Sequence, residues 1–200
     1  MHAHRPHLPA DARREITVEA VLELAAEQNP TDITTAAIAK RMGLTQGAIF
    51  RHFPTKEALL ESVMQWVSTR LTERLDQARA GAPDPRSALE AMCTAHVDFI
   101  AEHPGVPRLL LGELQRAEDT PAKRIARSLL EGYGARIAEL LERLRTRGAL
   151  RDGLDTRDAV VAFIGAIQGL AMQSLIAGDI GRIRAQAPAV FEIYRRGTGA

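Results

Sequence analysis

An all-α fold, with a small N-terminal helical unit and a larger helical body, is predicted from three observations. Apolar residues recur at three- and four-residue spacing along most of the 200-residue chain. No run shows the apolar–polar alternation of a strand. One segment, residues 33–56 (ITTAAIAKRMGLTQGAIFRHFPTK), carries Lys40, Arg41, Arg51 and Lys56 and no Asp or Glu, whereas the rest of the chain mixes both charges.

The elements follow in order. Residues 1–8 are expected to be disordered, and His2, His4 and His7 there read as part of a mobile end rather than a metal tract. A first helix is predicted over 9–28, with Pro9 at an early position and Ile16, Ala20, Leu24 and Ala25 inward. Asn29-Pro30 ends it. Thr34 is placed to cap a helix over 35–42, and Gly43 stops it by accepting a left-handed conformation. Thr45 is placed to cap a second short helix over 46–53, closed by Pro54. Ile38 and Met42, and Ile49 and Phe53, form the inner stripes of the pair. Two short helices around a glycine turn make a helix-turn-helix, and its positive charge suits a phosphate backbone.

Thr55 is placed to cap a long helix to about residue 79, with Leu59, Leu60, Val63, Val67, Leu71 and Leu75 inward. GAPDP, 81–85, is a break. A helix over 86–102 carries Leu89, Met92, His96, Phe99 and Ile100 on one face and ends at HPGVP. A short helix over 106–117 and a long one from Thr120-Pro121 to Gly148 follow; Gly132 and Gly134 in the latter mark close packing or a bend. The helix over 155–177 is the most apolar, and a last helix over 184–196 precedes a loose tail, RRGTGA.

Composition narrows the function. With 26 basic and 25 acidic residues, any nucleic-acid surface is local. Five Phe, two Tyr and one Trp argue against stacking platforms for single strands. Cys93 is the single cysteine, which excludes an intrachain disulfide and fits a reducing, cytoplasmic location. No apolar run is read as a membrane span, and the N-terminus lacks a signal-peptide core. No Gly-rich phosphate loop, HExxH, GxSxG or CxxC occurs. Cys93, His96 and Asp98 do not make a triad, because Asp98 points about 200° round the helix from His96. No catalytic constellation, metal site or cofactor is expected.

The run IAKRMGLTQGAIFRHFPTKEALL resembles the DNA-binding region of TetR/AcrR-type transcriptional regulators. The resemblance rests on Thr34, Ile38, Ala39, Gly43, His52, Phe53, Lys56, Glu57 and Leu59, about a quarter of the chain. Phe50 stands where the family most often has Tyr, so a phosphate contact by that hydroxyl is absent here. Gln46 can pair bidentately with adenine, and Thr34, Thr45 and Lys56 suit phosphate oxygens. The candidate DNA contacts are Thr34, Thr35, Lys40, Thr45, Gln46, Gly47, Ala48, Phe50, Arg51, His52 and Lys56.

The helix over 155–177 is apolar on more than one face, so part of its surface is expected to meet a second subunit. The expected interface residues are Val161, Gly165, Gly169, Phe191 and Tyr194, in a four-helix bundle across a two-fold axis; the resemblance implies the same. The candidate effector cavity is lined by Trp66, Met92, His96, Phe99, Leu110, Ile164, Gln168 and Met172.

The sequence therefore predicts a DNA-binding domain over 9–54 and an effector-binding and dimerisation domain over 55–197. The function read from it is a homodimeric repressor, released from a palindromic operator by a small, mainly apolar effector. An all-α small-molecule carrier without DNA function is the competing reading.

Overall fold

The computed structural model describes residues 10–199, which form nine α-helices and one 3-10 turn. The expectations for residues 1–8 and for Pro9 lie outside the described residues.

α1 (Ala10–Glu27) stops before Asn29, whose side chain accepts from Thr31 N at 3.1 Å and caps a 3-10 turn, Pro30–Asp32, where the sequence reading placed only a break. α2 (Thr35–Met42) is capped as expected, with Thr34 Oγ1 accepting from Ala37 N at 3.1 Å. Gly43 sits at φ 63°, a left-handed conformation that lets Leu44 N donate back to Ala39 O at 2.9 Å and closes the helix end. α3 (Gln46–Phe50) is shorter than the predicted 46–53. His52 N and Phe53 N still donate to Ile49 O, but Pro54 has no N–H and disfavours a helical residue before it. Thr45 has the extended backbone of an N-cap, yet its hydroxyl makes no capping bond, so that expectation is corrected.

α4 (Lys56–Ala80) starts at the Thr55 cap, where Oγ1 accepts from Ala58 N at 3.0 Å. α5 (Pro85–Glu102) starts at Asp84, which accepts from Arg86 N and Ser87 N. α6 (Gly105–Leu114), α7 (Pro121–Arg145), α8 (Thr156–Ile176) and α9 (Arg182–Thr198) complete the body, α6 ending three residues earlier than expected. α7 runs unbroken through its glycines; a Cβ on Gly134 would lie 3.3 Å from Val160 Cγ1, so that glycine marks the close approach of α8. The predicted loose tail is ordered through residue 199: Thr198 is helical, and Gly199 bridges Leu150.

α4 packs on α5 and α7, and α9 on α5 and α8. α1 packs on α2, α4 and α6. One core runs from Val18 in α1 to Phe191 in α9. The contact with α6 explains why the predicted stripe of α1 is partly wrong. Ile16 is 40% exposed, while Thr17, Val18, Val21 and Leu22 are buried beside Ala20, Leu24 and Ala25, because α1 is covered from two sides.

α8 is long and apolar enough to cross a membrane by length and composition, which corrects the statement that no such run exists. Its Ala159, Phe163, Ile167, Leu170 and Ala171 are buried against the neighbouring helices of this bundle.

Candidate functional site

The helix-turn-helix presents its residues unequally. Thr45, Gln46, Gly47, Phe50 and Arg51 are exposed, and Phe50 retains 46% of its surface. A Cβ on Gly47 would meet nothing within 4 Å, so the backbone at the start of α3 is open to close approach. Gln46 Nε2 donates to Thr35 Oγ1 at 2.8 Å, which fixes the amide while leaving its carbonyl and second N–H for a base edge. Thr34 Oγ1 accepts from Ala37 N as the α2 cap, and Ala48 is half-buried.

The positive charge is also divided. Arg41 is bridged to Glu23 and Glu27 of α1, so it braces α2 on α1. Lys56 Nζ donates to Thr31 O at 2.9 Å and clamps the start of α4 to the 3-10 turn. Lys40 and Arg51 are exposed and have no ion-pair partner among the described residues. His52 is half-buried and lines a groove with Phe53 and Trp66, facing the α1–α4 side of the unit.

A cavity of about 310 Å³ lies in the body between α4, α5, α6, α7 and α8. Of the residues expected to line it, His96, Phe99, Leu110, Gln168 and Met172 do. Trp66, Met92 and Ile164 do not. Met92 is fully buried in the core, Ile164 is half-buried against that core, and Trp66 faces the outer groove beside His103. Tyr133 and Leu114 line the cavity and were missed. Tyr133 carried the one available signal, a polar group inside an apolar helical stripe.

Two helices that line the cavity, α4 and α6, also pack on α1, the helix on which α2 of the helix-turn-helix sits. α6 gives Val106, Leu110 and Leu114 to the lining, and its first residue, Gly105, sits against α1 so closely that a Cβ would fall 2.0 Å from Leu22 O. α4 gives Met64, Val67 and Leu71, and its first turn is tied to the end of α6 by Glu57 and Arg116 at 2.8 Å.

A family model for bacterial regulatory proteins of the tetR family matches residues 18–63, and a model for tetracyclin repressor-like C-terminal domains matches residues 85–192, more than half of the chain. The chain belongs to the TetR family. It is a DNA-binding transcriptional regulator with a helix-turn-helix and an all-α fold. The nucleoid occlusion factor SlmA of Marinobacter nauticus is 28% identical over 173 residues, covering 82% of this chain and 87% of that protein. The SlmA of Vibrio cholerae is 23% identical over 158 residues, covering 78% and 81%. Among solved structures, the regulator FadR from Bacillus subtilis in complex with stearoyl-CoA superposes with a TM-score of 0.79 at 21% identity, covering 92% of this chain and 98% of that one. The ketosteroid regulator KstR2 of Mycobacterium tuberculosis gives 0.76 at 18% identity, covering 94% and 95%. At these identities the two structures establish the shared TetR fold.

On this TetR-family chain the residues expected at a dimer interface separate into two groups. Val161 is 71% exposed, and a Cβ on Gly165 or Gly169 would meet nothing within 4 Å. Phe191 and Tyr194 point the other way: they pack on Phe163 of the same chain, with ring centroids 6.3 and 5.3 Å away. Within the protomer Phe163 draws both rings inward, so Phe191 is buried and Tyr194 half-buried. The exposed apolar residues of this side are Val161 and Ile176 on α8 and Ile193 on α9, the last two 80% and 72% exposed.

The candidate chemistry around Cys93 is placed as follows. Asp98 pairs with Arg184 at 2.6 Å. Cys93 is buried, and burial pushes its thiol up to about 11, away from thiolate reactivity. His96 is held neutral by burial, its pKa lowered to about 4. No group of three or more His, Cys, Asp or Glu among the described residues converges as a metal site.

Proposed function

We propose that this TetR-family regulator is a cytoplasmic homodimeric repressor whose hold on a palindromic operator is weakened by a small, mainly apolar effector. The observation that carries the reading is the sharing of α4 and α6 between an apolar cavity and the seat of the helix-turn-helix. A ligand that wedges α6 outward acts on α1 through the Gly105–Leu22 contact and on the start of α4 through Arg116. The shift is driven only if the ligand binds the two arrangements unequally. A hundredfold loss of operator affinity needs about 2.7 kcal/mol of such coupling.

The DNA-binding unit, to about residue 54, contacts the duplex through α3. Gln46 and Gly47 lie against base edges, and Lys40, Thr45 and Arg51 against phosphates. Phe50 offers an apolar face to sugar or thymine methyl groups. Lys56, Thr34 and His52 act by holding the unit's shape. Two copies joined along the outer faces of α8 and α9 place the recognition helices about 34 Å apart, or at a multiple of that spacing. The chain regulates and does not catalyse.

Selection from a random duplex library tests the reading. Enrichment of a palindrome is expected, with Arg51→Ala weakening all sequences alike and reducing the salt slope by about one. No enrichment from folded, ligand-free protein favours a carrier function. The relatives named nucleoid occlusion factors support a second reading, in which many dispersed sites are bound irrespective of promoters. Mapping of bound sites across a host genome separates the two.

A further inference from the structure

α3 turns one face outward. Ile49 is 2% exposed and marks its inner side, while Gln46, Gly47, Phe50 and Arg51 are exposed. At about 100° per residue, Gly47 lies about 100° and Phe50 about 40° round the helix from Gln46. The phenyl ring therefore stands between the two residues read against base edges. Arg51, at about 140°, closes the far side of that face. Phe50 retains 46% of its surface, whereas Phe53, three residues on, is 2% exposed and belongs to the core. Gln46 Nε2 donates to Thr35 Oγ1 at 2.8 Å, which fixes the amide beside the ring. A Cβ on Gly47 would meet nothing within 4 Å, so the whole face is free to come close to a groove floor.

The chemistry of Phe50 narrows what it meets there. Its ring has no hydroxyl to donate to a phosphate, and pressing it on one strips water from an anion with no hydrogen bond in return. The cations Lys40 and Arg51 already suit the phosphates. On the floor of the major groove the apolar group is the C5-methyl of thymine, and an apolar side chain is its matching contact. Covering that methyl with an exposed ring removes apolar surface from water on both sides. No counterion is released in doing so, so this contact is insensitive to salt.

We propose that Phe50 is a specificity-determining residue that reads the C5-methyl group of one thymine in each half-site. The inference rests on the reading of α3 as the recognition helix. Four residues advance about 6 Å along a helix, so the thymine lies within about two base pairs of the base that Gln46 contacts.

The test uses the full chain and the palindrome enriched from the random duplex library. Each thymine is replaced in turn by uracil, which keeps the pairing and every hydrogen-bonding group and removes only the methyl. At one position per half-site the replacement is expected to weaken binding about fourfold, and roughly fifteenfold when made in both. 5-Bromouracil at that position, with bromine filling the place of the methyl, is expected to restore the affinity. Phe50→Ala is expected to bind the thymine and uracil duplexes equally while keeping the native salt slope, unlike Arg51→Ala. Phe50 is exposed, so an unchanged unfolding midpoint shows that the variant is folded. An operator indifferent to uracil at every position, or a uracil penalty that survives Phe50→Ala, overturns this inference alone. A library that yields no enriched sequence removes the regulator reading and the inference with it.

Discussion

His96, half-buried with its Nδ1 closed to solvent, shows how one side chain ties pH to stability. Its imidazole is neutral in the native protein because burial disfavours the charged form, and its pKa falls from 6.5 to about 4. In the unfolded chain the same group takes up a proton near pH 6.5. Between those values the unfolded state binds more protons, so stability falls as pH falls. The stabilisation is whole above pH 6.5 and is lost progressively toward pH 4, by about 3 kcal/mol in all. His103, also lowered, first by burial, acts in the same direction. Urea midpoints measured at pH 7, 6 and 5 are expected to decline for the native chain and to decline less for His96→Gln. Equal slopes for the two proteins would falsify this account. The residue-scale signals in the sequence were local ones. Thr34, Gly43 and Thr55 announced their caps because a cap needs only its own turn, whereas the partnerless hydroxyl of Tyr133 is invisible until four other helices surround it.

At the scale of elements, two glycines illustrate opposite uses of a missing side chain. Gly105 lets the start of α6 press on α1; an added Cβ would sit 2.0 Å from Leu22 O and 2.9 Å from its carbonyl carbon, both rigid backbone. Gly105→Ala is therefore expected to destabilise the protein by about 3 kcal/mol, read from denaturant unfolding, because α6 must move off α1. Gly47 has open space around it. Gly47→Ala is expected to raise stability by up to about 1 kcal/mol, since alanine is the better helix former. The same change is expected to weaken operator binding in a gel-shift titration, because a methyl group then stands between backbone and DNA. A Gly47→Ala protein with full operator affinity removes the close-approach role. Helix positions were readable from periodicity and breaks, but the orientation of α1 was not. A helix covered on two sides buries more than one stripe, and periodicity alone cannot say which residues lie toward the second cover.

For the whole molecule, the exposed apolar side of α8 and α9 is the largest unmet demand. Val161, Ile176 and Ile193 are each more than two-thirds exposed, and Gly165 and Gly169 leave the α8 surface shallow beside them. On α9, Ala185, Ala189, Ile193 and Gly197 are exposed at four-residue spacing, a face on which another helix can lie close. Ile193→Arg places a charge in that contact without touching the core of the protomer. Light scattering at micromolar concentration is expected to show a monomer, with unchanged helicity. Affinity for a full palindrome is expected to fall to that of one half-site, because the second half-site is no longer held nearby. A dimeric Ile193→Arg protein with native operator affinity would move the interface elsewhere.

The amino-acid sequence by itself determined the all-α class, the helix-turn-helix and membership of a TetR-like family, because caps, glycine turns and helical periodicity are written within a few neighbouring residues. It also carried the local positive charge. Tertiary structure decided which of those charges are spent internally, as Arg41 is on Glu23 and Glu27, and which remain outward, as Lys40 and Arg51 do. It decided that Phe191 and Tyr194 turn inward while Ile193 faces out, and that Trp66 lies outside the cavity while Tyr133 lines it. Each of these depends on which neighbour covers a given helix face, and that neighbour comes from a distant part of the chain.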